Sequence, residues 1–450
     1  MFQSLPGFRA FYPEDACVRD YIFTRWRRCV RSFNFLEYDA PVLEPLELFT
    51  QKSGAEIVKQ LFHFEDQGGR AVALRPEMTP SLARLVGTKG QSLKRPLKWF
   101  SLAECFRYER PQKGRLRSFY QLNVDILGEA SSHADAECIQ VLIQSFRSFG
   151  LTDKDFAIRL SDRALWSLLL ESFGLSPEDS QAVLPLLDKL DGALESAREE
   201  FLPYFKDKLD AFISITSQFL NIKTLKHLEN FIHTLWPCQE LQAKALMRLQ
   251  DWILLLSQLE AFQVQSFIRI DFSIVRGLAY YTGFVFEAFE ATGQGRALAG
   301  GGRYDDLLQK LSGAAWPAVG FGLGDVTLAD ILREKDLLPQ DLYTEYKTAD
   351  VFIAYDSELP RLRSEAFSYA HSLREKGYKV DYSLKDLPLA KQERQAYDAK
   401  VGLLLSFLQD EHNSLVLKIK HLASKEERLM PIDEASEALE CIQNYLRPTS

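Results

Sequence analysis

The stretch that most constrains this chain is Cys105–Gly128, CFRYERPQKGRLRSFYQLNVDILG. It reads as strand, basic loop, strand: Cys105–Glu109 and Ser118–Leu127 have strand composition, and Pro111 with Gly114 breaks the pattern between them. In the second arm Tyr120, Leu122, Val124 and Ile126 alternate with Phe119, Gln121, Asn123 and Asp125, and a period of two sends the two sets to opposite faces of a sheet. One face is apolar core; the other carries two amides and a carboxylate. The same parity sets Arg107 beside Glu109 in the first arm, and the loop adds Arg110, Lys113, Arg115 and Arg117. Such a hairpin offers an anion a rigid, positively charged seat beside a small polar pocket. A solvated hairpin with a polar outer face shows the same alternation, since half-wet antiparallel sheets are common.

A chain of 450 residues is too long for one compact core and implies two or three domains. Its net charge of −8 argues against a protein that coats nucleic acid without specificity, which needs a broadly basic surface, but leaves room for a local basic track. The six cysteines, Cys17, Cys29, Cys105, Cys138, Cys238 and Cys441, form no C-x-x-C pair and have no histidine at ligand spacing. A structural zinc or a disulfide framework is therefore not expected, and a reducing cytoplasm fits. The N-terminal run MFQSLPGFRAFYPED has neither a signal peptide's pattern nor a transit segment's, and no apolar run approaches a membrane span.

Along the chain, Val18, Ile22, Trp26, Cys29, Val30 and Phe33 fall at helical spacing after Pro13, with Glu14 and Asp15 in the first turn and Arg25, Arg27, Arg28 and Arg31 outside. A short strand in PVLEPLELFTQKSG is bracketed by Pro41 and Pro45. Residues 58–86 hold a phenylalanine-rich strand, a turn at Asp66–Gly69 and then AVALRPEMTPSLARLV, where the two prolines make a stiff connection carrying Glu77 and Thr79. Thr79 could equally cap the helix that follows. Residues 161–262 are leucine-rich and helical, with His227 and His233 as packing or surface residues. Sheet pattern resumes in SFIRIDFSIVRGLAYYTGFVFEAFE and LAGGGRYDDLLQKL. The latter has glycines that permit close approach but no P-loop. Beyond about residue 345, alternating strands and helices, ending in a helix at DEASEALECIQNYL, imply a small α/β domain with a largely parallel sheet.

These motifs carry a resemblance. FRYERPQKGR followed by FYQ resembles motif 2 of class II aminoacyl-tRNA synthetases in their histidyl form; LRPEMT, RGLAYYTG and GGGRYD resemble histidyl signatures; PVLEPLELFTQKSG and GFGLG resemble motifs 1 and 3. The resemblance implies an α+β fold: a class II antiparallel-sheet catalytic core over residues 1–160 and 263–335, a helical insertion over 161–262, and an α/β anticodon-binding-like domain over 345–450. It implies activation of L-histidine with ATP and Mg²⁺, transfer to histidine tRNA, and a homodimer built on motif 1. By the same likeness Arg107 and Arg276 are catalytic cations, and Arg107, Glu109, Arg115 and Phe119 hold ATP. Glu77, Thr79, Gln121, Asp125, Tyr280, Tyr281 and Tyr304 hold histidine, and Arg110, Gln112 and Lys113 meet the acceptor end of the tRNA. The metal comes with the nucleotide, not through a protein-only cluster.

Three positions depart from the family pattern. Ala279 stands where most members have Asp, Asp125 where many have Glu, and Thr327 where motif 3 has an ATP-contacting Arg. Two other readings stay open on sequence. One is a non-enzymatic paralogue, the regulatory subunit of ATP phosphoribosyltransferase, although such subunits typically lack the C-terminal domain and degrade the R-P-Q-K-G-R loop. The other is a tRNA-binding protein without catalysis.

Overall fold

The alternation in Ser118–Leu127 becomes an interior strand of a large sheet. The computed structural model describes residues 2–50, 59–112, 114–189, 194–275, 280–291, 297–313, 315–434 and 442. They form two compact units, Met1–Pro339 and Gln340–Ser450. In chain order the strands of the first unit are β1 (Leu36–Glu37), β2 (Leu43–Pro45), β3 (His63–Glu65), β4 (Ala71–Leu74), β5 (Leu97–Phe106), β6 (Ser118–Leu127), β7 (Phe156–Asp162), β8 (Ile268–Ile270), β9 (Phe284–Glu290), β10 (Ala297–Arg303) and β11 (Ala318–Gly324). Eight of them form one sheet in the order β1-β5-β6-β11-β10-β9-β7-β8, and β2-β4-β3 form a small second sheet. The large sheet is antiparallel in its interior and parallel only at its two edge pairs, β1–β5 and β7–β8.

One face of β6 is core as the alternation requires. Leu122, Val124 and Ile126 pack with Ile22, Trp26 and Val30 of the helix Pro13–Ser32 and with Ile139, Leu142 and Phe146 of the helix Ser132–Arg147. Burying each such side chain is worth about 1.5–3 kcal/mol, enough to fix which face of β6 looks the other way. Pro13 opens the first helix, where its missing N–H costs nothing, with Glu14 and Asp15 in the positive first turn. On the outer side of that helix Arg27 and Arg31 pair with Glu37, and Arg25 donates to the Ser148 carbonyl.

From Arg163 to Ala261 the described elements are helices. Asp162 at the end of β7 caps the first of them, accepting from the N–H groups of Ala164 and Leu165, and its other oxygen takes Arg248 Nε at 2.7 Å and Trp252 Nε1 at 2.9 Å. This helical stretch shares one apolar core with the sheet, and a chain of ring contacts runs from Trp166 through Phe219 and Phe272 to Trp252. His227 and His233 lie exposed on the helix Leu225–Leu235.

The second unit holds β12 (Val351–Tyr355), β13 (Val380–Tyr382), β14 (Leu403–Gln409), β15 (Leu415–His421) and β16 (Glu427–Pro431), ordered β13-β12-β14-β15-β16. The sheet is mixed where a largely parallel one was expected. β12 runs parallel to β13 and β14, but β14–β15 and β15–β16 are antiparallel. Residues 410–414 are too few for a crossover and can only make a hairpin, which Asp410 ties by accepting from the N–H groups of His412 and Ser414. The helix expected at the C-terminus lies almost entirely outside the described residues.

Candidate active site

The basic loop closes more tightly than its composition suggests. β5 ends at Phe106, paired with Ser118, so the first arm starts earlier and stops sooner than the expected Cys105–Glu109. Phe106 and Tyr108 turn their N–H groups to the carbonyls of Arg75 and Gln60, away from β6. Arg107 is therefore a loop residue, and the side-by-side placement with Glu109 by strand parity does not hold. The loop instead has its own short ladder: Arg107 N–H donates to Arg117 C=O at 2.9 Å, and Gln112 and Arg115 bridge each other around Gly114, whose φ of +72° suits glycine.

Within this frame Arg107 Nε donates to the Pro76 carbonyl at 3.0 Å, and its guanidinium lies 5.3 Å from the Phe119 ring centroid. Arg115 is paired with Glu109 at 3.1 Å, and Arg117 Nε donates to the Glu109 carbonyl. Arg107, Glu109, Arg115, Phe119, Gln121 and Thr327 all line one cavity of about 270 Å³, joined by Glu287 of β9, Gly300 of β10 and Gly322 and Gly324 of β11. Thr327 brings no charge there; its hydroxyl donates to the Leu298 carbonyl. Arg110 and Gln112 are exposed. Lys113 lies outside the described residues, as do Arg276 and Ala279.

Further along the same face of β6 the surroundings become closed and polar. β11 pairs with β6 so that Gly320 opposes Asp125, Gly322 opposes Asn123 and Gly324 opposes Gln121. A Cβ at Gly320 would sit 2.0 Å from Asp125 Oδ1, and one at Gly322 would sit 2.4 Å from Gln121 Nε2, so the glycines of GFGLG are what make room for the two polar side chains. Asp125 is buried and accepts from Tyr304 Oη at 2.5 Å. Desolvation pushes its carboxyl up to about 7; the charge of Glu77 adds to the rise and the Tyr304 bond opposes it. Glu77, also buried, accepts from Tyr280 Oη at 3.0 Å. The Tyr280 ring lies 5.8 Å from Tyr304 and 5.1 Å from Tyr281, and Tyr281 fits because Gly302 has no Cβ to meet its ring. Thr79 does not cap the helix Thr79–Lys89 but is its first residue, with Met78 in the capping position.

Sequence reasoning missed the residues that hold these groups in place. Arg303, in GGGRYD, is buried and donates to Asp135 through two nitrogens and to the carbonyls of Glu129 and Ser131, anchoring the end of β10 next to Tyr304. Arg75, in LRPE, donates to the carbonyls of Ala40 and Glu104 and so ties the end of the small sheet's central strand to β5. Tyr38, held well above the usual phenol range by desolvation and by the charge of Asp125, belongs to the same polar cluster. An arginine directly beside a motif tyrosine, or directly before a motif proline, is the sequence signal that was available for the first two.

The profile of the family described as Histidyl-tRNA synthetase matches residues 7–327. A histidine–tRNA ligase of Opitutus terrae is 47% identical over 433 residues, 96% of this chain and 97% of its own length. The chloroplastic/mitochondrial histidine–tRNA ligase of Arabidopsis thaliana is 38% identical over 424 residues, 94% of this chain and 83% of its own. In fold the chain is similar to the crystal structure of histidyl-tRNA synthetase from Nostoc sp. PCC 7120, with a TM-score of 0.73 at 22% identity over 98% of this chain and 99% of that one. With the profile covering most of the first unit and relatives of this identity covering nearly the whole length, the chain belongs to the histidyl-tRNA synthetase family.

Proposed function

We propose that this chain is an ATP-dependent histidine–tRNA ligase whose amino-acid and nucleotide sites share one face of β6. The observation that carries the site assignment is the sequence of side chains on that face: Phe119 beside Arg107, then Gln121, then buried Asp125 under Tyr304. The full-length curated relatives favour the ligase over the regulatory-subunit reading.

In the first step a histidine carboxylate oxygen attacks the α-phosphorus of ATP, the α–β bridge breaks and pyrophosphate leaves. Two anions must meet, so the chain's contribution is position and positive charge more than a nucleophile of its own. Arg107, held at Pro76, would face the α-phosphate, Arg115 the outer phosphates, and Phe119 would stack on adenine. Arg276 would be a second cation near the reacting groups. Glu109 and Glu287 are the carboxylates that would hold Mg²⁺, which when bound neutralises phosphate charge. Glu77, Thr79 and Gln121 would bind the amino group. Asp125, with Tyr280, Tyr281 and Tyr304 around it, would accept the imidazole N–H, and an amino acid without that donor would leave the buried carboxylate unpaired. In the second step a ribose hydroxyl at the tRNA 3′ end takes the histidyl group and AMP leaves; Arg110, Gln112 and Lys113 would meet the acceptor end.

We assign a homodimer as well. Leu36, Val42, Leu43 and Phe64 expose apolar surface on β1, β3 and around β2, the region that resembles motif 1, and a second copy would cover it. A cytoplasmic location accords with the described residues, among which five cysteines are free and no helix is long and apolar enough to cross a membrane. The test is histidine-dependent exchange of pyrophosphate into ATP, followed by charging of histidine tRNA with and without its extra 5′ guanosine. Folded protein that supports neither would overturn the ligase reading.

A further inference from the structure

The residues Gly7–Phe11 run along the outside of the arginine loop and touch both of its feet. The Gly7 carbonyl accepts from the N–H groups of Arg117, at 2.9 Å, and Ser118, at 3.2 Å, where the loop rejoins β6. Gly7 has a φ of +83°, and a Cβ there would come within 2.9 Å of Arg117 Cγ, so contact this close requires glycine. Phe8 packs between Phe62 and Phe106, the latter being the last residue before the loop leaves β5. Arg9 Nη2 then reaches Asp325 Oδ2 at 2.8 Å, while Asp325 Oδ1 accepts the N–H of Tyr120 at 2.9 Å. Phe11 packs edge-on against Tyr120, with the Arg9 guanidinium 4.8 Å from the Phe11 ring centroid.

Asp325 opens the helix Asp325–Glu334 directly after β11 and lies two residues before Thr327. The Arg9–Asp325 pair therefore joins the loop's return strand to the junction that borders the nucleotide cavity. Leu116 and Val326 line both that cavity and the neighbouring pocket that holds Arg9, so Arg9 stands behind the cavity wall and not in it. Among the described residues lining the nucleotide cavity the cations are Arg107 and Arg115, and both belong to the one loop. With Thr327 contributing no charge, the placement of phosphate depends on how firmly that loop is held at its base.

We propose that Arg9 is a positioning residue for the nucleotide: through Asp325 and Tyr120 it sets the base of the Arg107–Arg117 loop against the β11 junction, and so tunes ATP binding without touching ATP. This rests on the ligase reading. A buried carboxylate stripped of its cation disturbs its surroundings well beyond the lost contact, and a small misplacement of a charged clamp is enough to weaken phosphate binding.

The test measures KM for ATP and KM for histidine separately in pyrophosphate exchange, together with ATP affinity by calorimetry, for the wild type, Arg9→Ala, Arg9→Lys, Asp325→Asn and the Arg9→Ala/Asp325→Asn double variant. Arg9→Ala is expected to raise KM and Kd for ATP about tenfold while KM for histidine stays within about twofold. Arg9→Lys is expected to recover most of the loss, since charge is kept and only the guanidinium fork is gone. Asp325→Asn, whose amide oxygen still accepts from Tyr120, should match Arg9→Ala, and the double variant should be no worse than either, as for two residues acting as one unit. Unchanged ATP parameters in Arg9→Ala, a parallel rise for both substrates, or an additive double variant would each overturn the inference. If Arg9→Ala unfolds, Arg9→Lys and Asp325→Asn carry the test. A wild type that binds ATP but exchanges nothing would sink the ligase reading alone, leaving calorimetry to decide on Arg9.

Discussion

The two ends of the functional face of β6 are built on opposite plans. At the Asp125 end everything is closed: Asp125 is 3% exposed, Tyr304 2% and Tyr280 7%, each tyrosine lies against another ring, and two bonds from tyrosine hydroxyls fix the carboxylates. At the Phe119 end the charges stand on a loop, and the Arg115 side chain is 56% exposed. A pocket that must recognise one imidazole gains from a dry, rigid carboxylate, because the penalty for the wrong ligand is an unpaired buried charge. A site that must admit a polyanion and then release pyrophosphate gains from charges that are held but accessible. On the proposed assignment, one end serves selection and the other passage.

The comparison is broken most directly at Asp125. Asp125→Asn keeps the shape and still accepts from Tyr304, but presents the imidazole with a neutral group, and kcat/KM for histidine in exchange is expected to fall by about a thousandfold with KM for ATP little changed. Loss of less than tenfold would mean that the closed end does not select the amino acid. Next in size is Arg107→Ala, for which exchange should drop by about a hundredfold at saturating histidine, the loss of one preorganised charge contact. A near-normal rate would show that the guanidinium beside Phe119 is not aimed at the reacting phosphate. The glycine strand comes third. Gly320→Ala drives a methyl into both Asp125 Oδ1, at 2.0 Å, and the Val124 carbonyl, at 2.7 Å, whereas Gly322→Ala meets first the mobile end of Gln121. We expect the first to raise KM for histidine about tenfold or more and the second by about a third of that, on the reasoning that backbone cannot yield and a long side chain can. The reverse order would mean that Gln121, not Asp125, is the tighter part of the pocket.

The sequence was most legible where one local rule decided the outcome. In β6 strict alternation assigned Leu122, Val124 and Ile126 to the core and Phe119, Gln121 and Asp125 to the opposite face, as observed. It was less legible at Arg107, because strand composition continues past Phe106 while the N–H groups of Phe106 and Tyr108 go to Arg75 and Gln60, partners far away in the chain. The Arg9–Asp325 and Arg303–Asp135 pairs were invisible for the same reason: an arginine and an aspartate far apart in sequence carry no sign of each other. The C-terminal sheet failed differently. The short polar run Asp410–Ser414 is itself a hairpin signal, whereas the strand–helix alternation before it is the pattern of a parallel sheet.

The smallest effect sharpens the comparison in a different quantity, stability against pH. Burial raises the Asp125 carboxyl from the ordinary carboxylate range to about 7, so the folded protein holds this proton more tightly than the unfolded chain does. Below about pH 4 the group is protonated in both states and costs nothing. Between about pH 4 and 7 the unfolded chain ionises while the folded one resists, so the penalty on folding grows, and above about pH 7 it levels off. A rise of about three pKa units corresponds to roughly 4 kcal/mol at full ionisation, but Asp125→Asn also gives up the charge-assisted bond from Tyr304, so its net gain at pH 8 should be nearer about 1–2 kcal/mol. The measurement is the difference in Tm between Asp125→Asn and the wild type from pH 5 to pH 8. It should start near zero, favour the variant by a few degrees at pH 7 and stay flat above, the same substitution that abolishes selection making the fold more stable. A difference that shrinks with rising pH would mean that Asp125 is paired with a cation in the native state, and that the closed end of β6 is a salt bridge and not a desolvated carboxylate waiting for its ligand.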